Sequence, residues 1–270
     1  MKRTDLNIAV VVQARMTSSR LPGKVMLNIL GEPLLWRMIE RLQQVKRIIH
    51  IVIATSDTAE DDAIERFCKK YDIDCYRGSM NDVLDRHWQV GHLTQADVVV
   101  KIPSDCPLID PAVVDKVLDF YVENQEKYDY VSNLHPATYP DGNDVEVMSF
   151  KALTKAWEEA TRPLELEHTT PYLWENPDKF RIGNVVWETG LDYSMSHRFT
   201  IDYHEDYQFI ERVFEELYPV KPYFSLEDVL KLLTQKPEIM ELNAQWAGVN
   251  WYRHHLDELK TIEPSMTRKV

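Results

Sequence analysis

Apolar and polar positions alternate in two rhythms along the first 125 residues. NIAVVVQ (7–13), HIVIAT (50–55), DCYRG (74–78) and DVVVKIP (97–103) are short runs rich in β-branched residues, the mark of buried strands. Between them, PLLWRMIERLQQV (33–45), TAEDDAIERFCKKY (58–71) and VLDRHWQVGHL (83–93) carry apolar residues at helical spacing. PAVVDKVLDFYVEN (111–124) is a further helix, with Asp110-Pro111 as its start signal. Strand and helix alternating with short links predict an α/β fold, a mostly parallel sheet with helices on both faces. In such sheets ligands bind at the carboxyl ends of the strands. The polar clusters QARMTSSRLPGK, SDTAEDD and PSDCPLID follow the first, second and fourth strands and are expected to converge on one edge.

After residue 130 the rhythm is less regular. YDYVSN and NDVEVMSF read as strands around the loop HPATYPDG, and KALTKAWEEAT (151–161) as a helix. LEHTTPYLWENPDKFRIGNVVW holds a helix and a strand. HRFTIDY (197–203) alternates like a strand, and EDYQFIERVFEELY (205–218) and SLEDVLKLLTQKP (225–237) are amphipathic helices. No Gly/Ser/Pro-rich linker interrupts this, so residues 1–240 are read as one domain with an embellished region over about 130–200. Residues 241–270 are read as a polar tail, partly disordered.

Charge narrows the partners. With 31 Lys and Arg against 44 Asp and Glu, the net charge is −13 and the chain is not expected to bind nucleic acid. No apolar run approaches the ~18 residues of a membrane span. No signal-peptide pattern precedes the first strand. The three cysteines, Cys68, Cys75 and Cys106, lack metal-type spacing and are read as reduced thiols of a cytoplasmic protein.

Against that acidic background, Arg15, Arg20 and Lys24 stand within ten residues, directly after a strand. A Ser/Gly-rich turn there exposes backbone N–H groups, and the three cations add charge-assisted bonds to an anion. The loop matches neither GxxxxGK[ST] nor GxGxxG, so a dinucleotide is not expected. Asp105 follows the fourth strand and is suited to Mg²⁺, which takes one or two protein carboxylates. Asp202, at the end of HRFTIDY, is a second such carboxylate, and Asp110 is a helix cap. Cys106 is read as a small buried side chain. The run RGSMNDVLDR offers Gly78, Ser79 and Asp82 to a base, although Asp82 serves equally well as a helix cap. Glu167 and His168 are candidates for a polar substrate, His168 being as readily structural.

QARMTSSRLPGK, PSDCPLID, YPDGNDVEV, EHTTPY and TIDYHEDYQFI, in this order, resemble the cytidylyltransferase family, in the branch of the spore-coat polysaccharide protein F type. Related members activate 3-deoxy-manno-octulosonate and acylneuraminate sugars. The likeness runs from about residue 7 to 218. It implies a three-layer nucleotide-diphospho-sugar transferase fold and Mg²⁺-dependent transfer of CMP from CTP to a sugar hydroxyl, with pyrophosphate released. It places Gln13, Ala14 and the Gly78-Ser79 turn against the nucleoside, and Arg15, Arg20 and Lys24 on the triphosphate. Asp105 and Asp202 would hold Mg²⁺, and Arg15, Lys24 and Asp105 would be catalytic. Asp141, Glu146, Glu167 and His168 would face the sugar. Relatives of this kind are often homodimers, which makes the region after residue 130 a candidate dimer surface. Leu166 stands where this branch often has Arg, so the acceptor class is left open. Two other readings are weighed: a transferase using another nucleotide or a finished nucleotide sugar, and a non-catalytic nucleotide-binding protein.

Overall fold

A computed structural model describes residues 6–47 and 50–269; the outermost residues of the expected domain and tail lie outside this range. Strand β1 (Ile8–Gln13) leads through the cationic loop to a small hairpin, β2 (Asn28–Ile29) and β3 (Glu32–Pro33), and helix α1 (Leu34–Leu42). Then follow β4 (His50–Ser56), α2 (Asp62–Tyr71), β5 (Asp74–Gly78), α3 (Val83–Leu93), β6 (Val98–Pro103) and α4 (Pro111–Asn124). The second half adds β7 (Tyr130–Ser132), β8 (Glu146–Ser149), α5 (Phe150–Glu159), α6 (Pro163–His168), α7 (Pro171–Trp174) and β9 (Ile182–Asn184). Helices α8 (His204–Leu217), α9 (Leu226–Gln235) and α10 (Pro237–Glu241) close the body.

Seven strands form one sheet in the order β5-β4-β1-β6-β8-β7-β9. All pairs are parallel except those of β8, which runs antiparallel to β6 and β7. Side chains of β1 alternate between two cores, as the two-residue period of a strand requires. Val10 and Val12 pack with residues of α1, α4, α8 and α9, whereas Ala9 and Val11 pack with residues of α3, α5 and α7. Helices therefore cover both faces, as the alternation predicted. Asp110 caps α4 by accepting from the Ala112 N–H at 2.8 Å, and its other oxygen accepts from the Leu226 N–H at 2.6 Å.

Two expectations are corrected. Residues 197–203 are not a strand. Phe199 and Ile201 are buried in alternation, but the pairing goes no further than a single bridge between Arg198 and Asp141, and the N–H groups of Phe199 and Ile201 go to the Asp141 and Asp105 carbonyls. Asp202 is therefore fixed by an irregular segment rather than by a strand end. Residues 244–266 are also more than a polar tail. They form short 3₁₀ turns against the body, and Val249, Leu259 and Ile262 are buried.

Candidate active site

A cavity of about 720 Å³ opens at the carboxyl ends of β1 and β6, where the sheet topology directs a ligand. Its rim begins with the loop after β1. The Met16 N–H donates to the Asp61 carboxylate at 2.7 Å, and the same carboxylate takes the Ser56 N–H at 3.0 Å. Asp61 thus bolts the loop to the end of β4. Gly23, at φ 69°, then returns the chain by donating to the Met16 carbonyl, and Lys24 follows inside a 3₁₀ turn. The SDTAEDD cluster does not line the cavity; its contribution is this support.

Lys24 is 8% exposed, and its ammonium sits between two carboxylates. It is 3.0 Å from Asp105 Oδ2 and 2.9 Å from Asp202 Oδ1, and donates to the Ile201 carbonyl at 2.7 Å. Burial works against its charge, but Asp105 and Asp202 outweigh burial and raise its pKa. Burial likewise opposes the Asp202 charge, and Lys24 and Arg20 overcome it to hold Asp202 well below the usual carboxylate range. Arg20 reaches Asp202 at 2.6 Å and lies over the Tyr203 ring. Arg15 faces Glu167 at 3.6 Å, both half exposed, an ion pair weak enough to exchange for a ligand.

The loop 139–144 brings carboxylates in from the other side. Gly142 has φ 101°, and a Cβ there would fall 2.5 Å from the Phe199 carbonyl carbon, so only glycine allows the two segments to touch. This contact carries Asp141 to Arg198 at 3.2 Å. Arg198 is buried and also pairs with Asp202 and Asp206. Deeper, Lys101 of β6 meets Glu146 of β8 at 2.6 Å across their antiparallel register, and the Tyr130 hydroxyl donates to the second Glu146 oxygen at 2.5 Å. Burial opposes the Glu146 charge, yet Lys101 lowers its pKa. Asp144 has no ion-pair partner within 4.0 Å among the described residues; burial and the nearby Asp105 push its pKa up to about 6 against the pull of the Gly142 N–H and Lys101.

Glu167 and His168 are aimed by a strained turn. Thr169 has φ 71° and ψ −53°, the rarer hand of γ-turn, closed by the Thr170 N–H donating to the His168 carbonyl at 2.8 Å. The His168 ring stacks on Trp251 with centroids 3.8 Å apart, and burial lowers its pKa to about 3, so it is neutral. Trp251, Tyr252 and His255 come from the C-terminal segment and form one wall of the cavity.

The structure brings together Gln13, Ala14, Arg15, Arg20, Lys24, Asp105, Asp141, Glu146, Glu167, His168 and Asp202 at one cavity. Three expected nucleoside residues are not on its lining. Asp82 caps α3 by accepting from the Asp85 N–H at 2.8 Å. Gly78 faces the Arg86 side chain instead, and Ser79 lies beyond it. Cys106 is buried, with its thiol pKa raised by desolvation, and takes no part. Sequence reasoning missed Lys101, Arg198, Asp144 and the aromatic wall. A lone lysine inside the apolar run DVVVKIP was the one available signal among them.

A basic loop, two facing carboxylates and a strand-edge cavity on a mostly parallel sheet define a nucleotidyltransferase. The chain belongs to the cytidylyltransferase family, whose model matches residues 9–236. It is similar to the spore coat polysaccharide biosynthesis protein SpsF of Bacillus subtilis, 30% identical over 86% of this chain and 96% of that one. A cytidylyltransferase structure from Leptospira borgpetersenii superimposes with a TM-score of 0.82 at 31% identity, covering 87% of this chain and 97% of the other. A 3-deoxy-manno-octulosonate cytidylyltransferase of Escherichia coli is 34% identical over 40% of this chain and 44% of its own length. Among the described residues no helix is long and apolar enough to cross a membrane.

Proposed function

We propose that this protein transfers CMP from CTP to a hydroxyl of a sugar or sugar acid, releasing pyrophosphate, in the making of a cell-surface polysaccharide. The observation that carries this reading is the convergence of Lys24, Asp105 and Asp202, with Arg15 and Arg20 beside them, at the carboxyl edge of the sheet. Membership of the family and the likeness to a spore-coat polysaccharide protein support the reaction and its setting.

In this reading the nucleoside lies against Gln13 and Ala14, and the triphosphate lies along Arg15, Arg20 and Lys24. The acceptor occupies the half of the cavity bounded by Asp141, Glu167, His168 and the C-terminal wall. Glu146 acts there through Lys101, since both of its oxygens are engaged. The acceptor hydroxyl attacks the α-phosphate in line. Positioning and charge neutralisation provide most of the acceleration in such transfers. Lys24 and Arg15 stabilise charge on the transferring and leaving phosphates.

Two carboxylates that converge on one ammonium form a donor set suited to a divalent cation. Magnesium in particular takes one or two carboxylates and completes its shell from phosphates. Asp105 and Asp202 would hold Mg²⁺ arriving with the nucleotide, and the ion would supply charge neutralisation at the α-phosphate and acidify the attacking hydroxyl. Three free cysteines suit a reducing, cytoplasmic setting.

The test is pyrophosphate release by Lys24→Ala and Asp105→Asn. Each is expected to lose at least about a hundredfold in rate, the scale of removing a transition-state charge contact. Near-normal turnover in both variants overturns the assignment.

A further inference from the structure

The charged side chains of the acceptor half are not equally open to a ligand. Among the described residues two Lys or Arg side chains line it, Lys101 and Arg198; Arg15, Arg20, Lys24 and Arg86 lie with the β1 loop and the end of β4. The Lys101 side chain is 9% exposed and is paired with Glu146 at 2.6 Å. The Arg198 side chain is 1% exposed and all its donors are engaged. Its Nε goes to Asp206, its Nη1 to Asp141 and the Val249 carbonyl, and its Nη2 to Asp202 and Asp206.

The accessible charges are carboxylates. The Asp141 side chain is 21% exposed, although its partner Arg198 is not. Asp144 is partly exposed, and among the described residues no cation stands within 4.0 Å of it. Its Oδ1 accepts from the Gly142 N–H at 3.2 Å. Nor are these carboxylates gathered for a metal: among the described residues no three His, Cys, Asp or Glu side chains are placed to share an ion. The facing wall is neutral. His168 is uncharged on Trp251, and burial lowers the pKa of His135, which packs on Trp174, to about 4. Trp251 lies beyond residue 236, where the match to the family model ends.

We propose that the acceptor is a sugar without a carboxylate, whose hydroxyl or amino groups donate to Asp141 and Asp144 while its ring lies against the Trp251 wall. A carboxylate entering this half would leave water, find no free cation and face two like charges. Hydroxyl and ammonium groups are donors and match what the cavity offers. The assignment rests on the CTP reading above and narrows its acceptor. It also makes Asp144 a specificity-determining residue.

Saturation-transfer NMR on the full chain tests this, with CTP bound and Mg²⁺ withheld so that no turnover occurs. The probes are 3-deoxy-manno-octulosonate, its methyl ester, which removes the charge and keeps the ring, and glucosamine. The ester is expected to bind at least about tenfold more tightly than the acid, the scale of one like-charge contact. Asp144→Asn brings that ratio to within about threefold and weakens glucosamine by at least about threefold. Binding of the acid as tightly as the ester overturns the proposal, and this wild-type comparison decides alone if the variant does not fold. An ester preference that Asp144→Asn leaves unchanged also overturns it. So does contact with none of the sugars, which removes the acceptor from this half of the cavity. Failure of the wild type to bind CTP instead refutes the CTP reading itself.

Discussion

The Lys24 ammonium stands 2.9 Å from Asp202 Oδ1, and the same nitrogen is 3.0 Å from Asp105. A single protein cation thus occupies the place between the two carboxylates on which the metal chemistry is proposed to depend. A triphosphate offers Lys24 an alternative anion, so the nucleotide and its cation can arrive together and exchange partners with it.

Removal of Lys24 therefore has two expected effects. Lys24→Met leaves Asp105 without its ammonium while Asp202 keeps Arg20 and Arg198, a loss expected at about 1–3 kcal/mol. Added Mg²⁺ restores part of that loss. Thermal unfolding with and without Mg²⁺ is expected to show a larger upward shift in the variant than in the wild type.

Asp61 is predicted to act at a distance from the cavity. Asp61→Ala frees the Met16 and Ser56 N–H groups, at about 1–3 kcal/mol of stability. The loop carrying Arg15, Arg20 and Lys24 then loses its anchor. Denaturant titration and the KM for CTP check the two parts, and KM is expected to rise more than kcat falls.

Stability is expected to fall on mild acidification. His87 is fully buried, and burial lowers its pKa from 6.5 to about 3. Between these values the unfolded chain takes up a proton that the folded chain refuses. The contribution of His87 is complete above pH 6.5 and is lost as pH falls, by up to about 1.4 kcal/mol per unit. Asp144 has the opposite sign. Its pKa is raised to about 6, so its contribution is present below 3.8 and lost as pH rises to about 6. Denaturant unfolding at a series of pH values should show the decline beginning near pH 6.5, and Asp144→Asn should make it steeper below pH 6.

The aromatic wall is expected to serve the acceptor alone. Trp251→Ala removes the ring stacked on His168 and should raise the acceptor KM by about tenfold, the scale of one aromatic contact. The CTP dissociation constant, read by calorimetry, should stay within about twofold.

Much of this was legible in the chain, for identifiable reasons. The runs around Val10 and Ile53 are buried on both faces and read as strands because nothing polar interrupts them, and the run around Val100 reads so despite Lys101. Lys24 and Asp105 were visible because charge directly after such a run has few structural uses. The pattern failed where contacts are non-local. HRFTIDY alternates like a strand because Phe199 and Ile201 face the core, but a strand also needs a partner edge, which no pattern of one segment records. The C-terminal segment has isolated apolar residues, Val249, Leu259 and Ile262, too far apart to show a period.

The most direct measurement is pyrophosphate release with Mg²⁺, each of the four nucleoside triphosphates and a panel of acceptor sugars. The account predicts release with CTP only, and only when one acceptor class is present. No release with any nucleotide, together with no CTP binding, would contradict it.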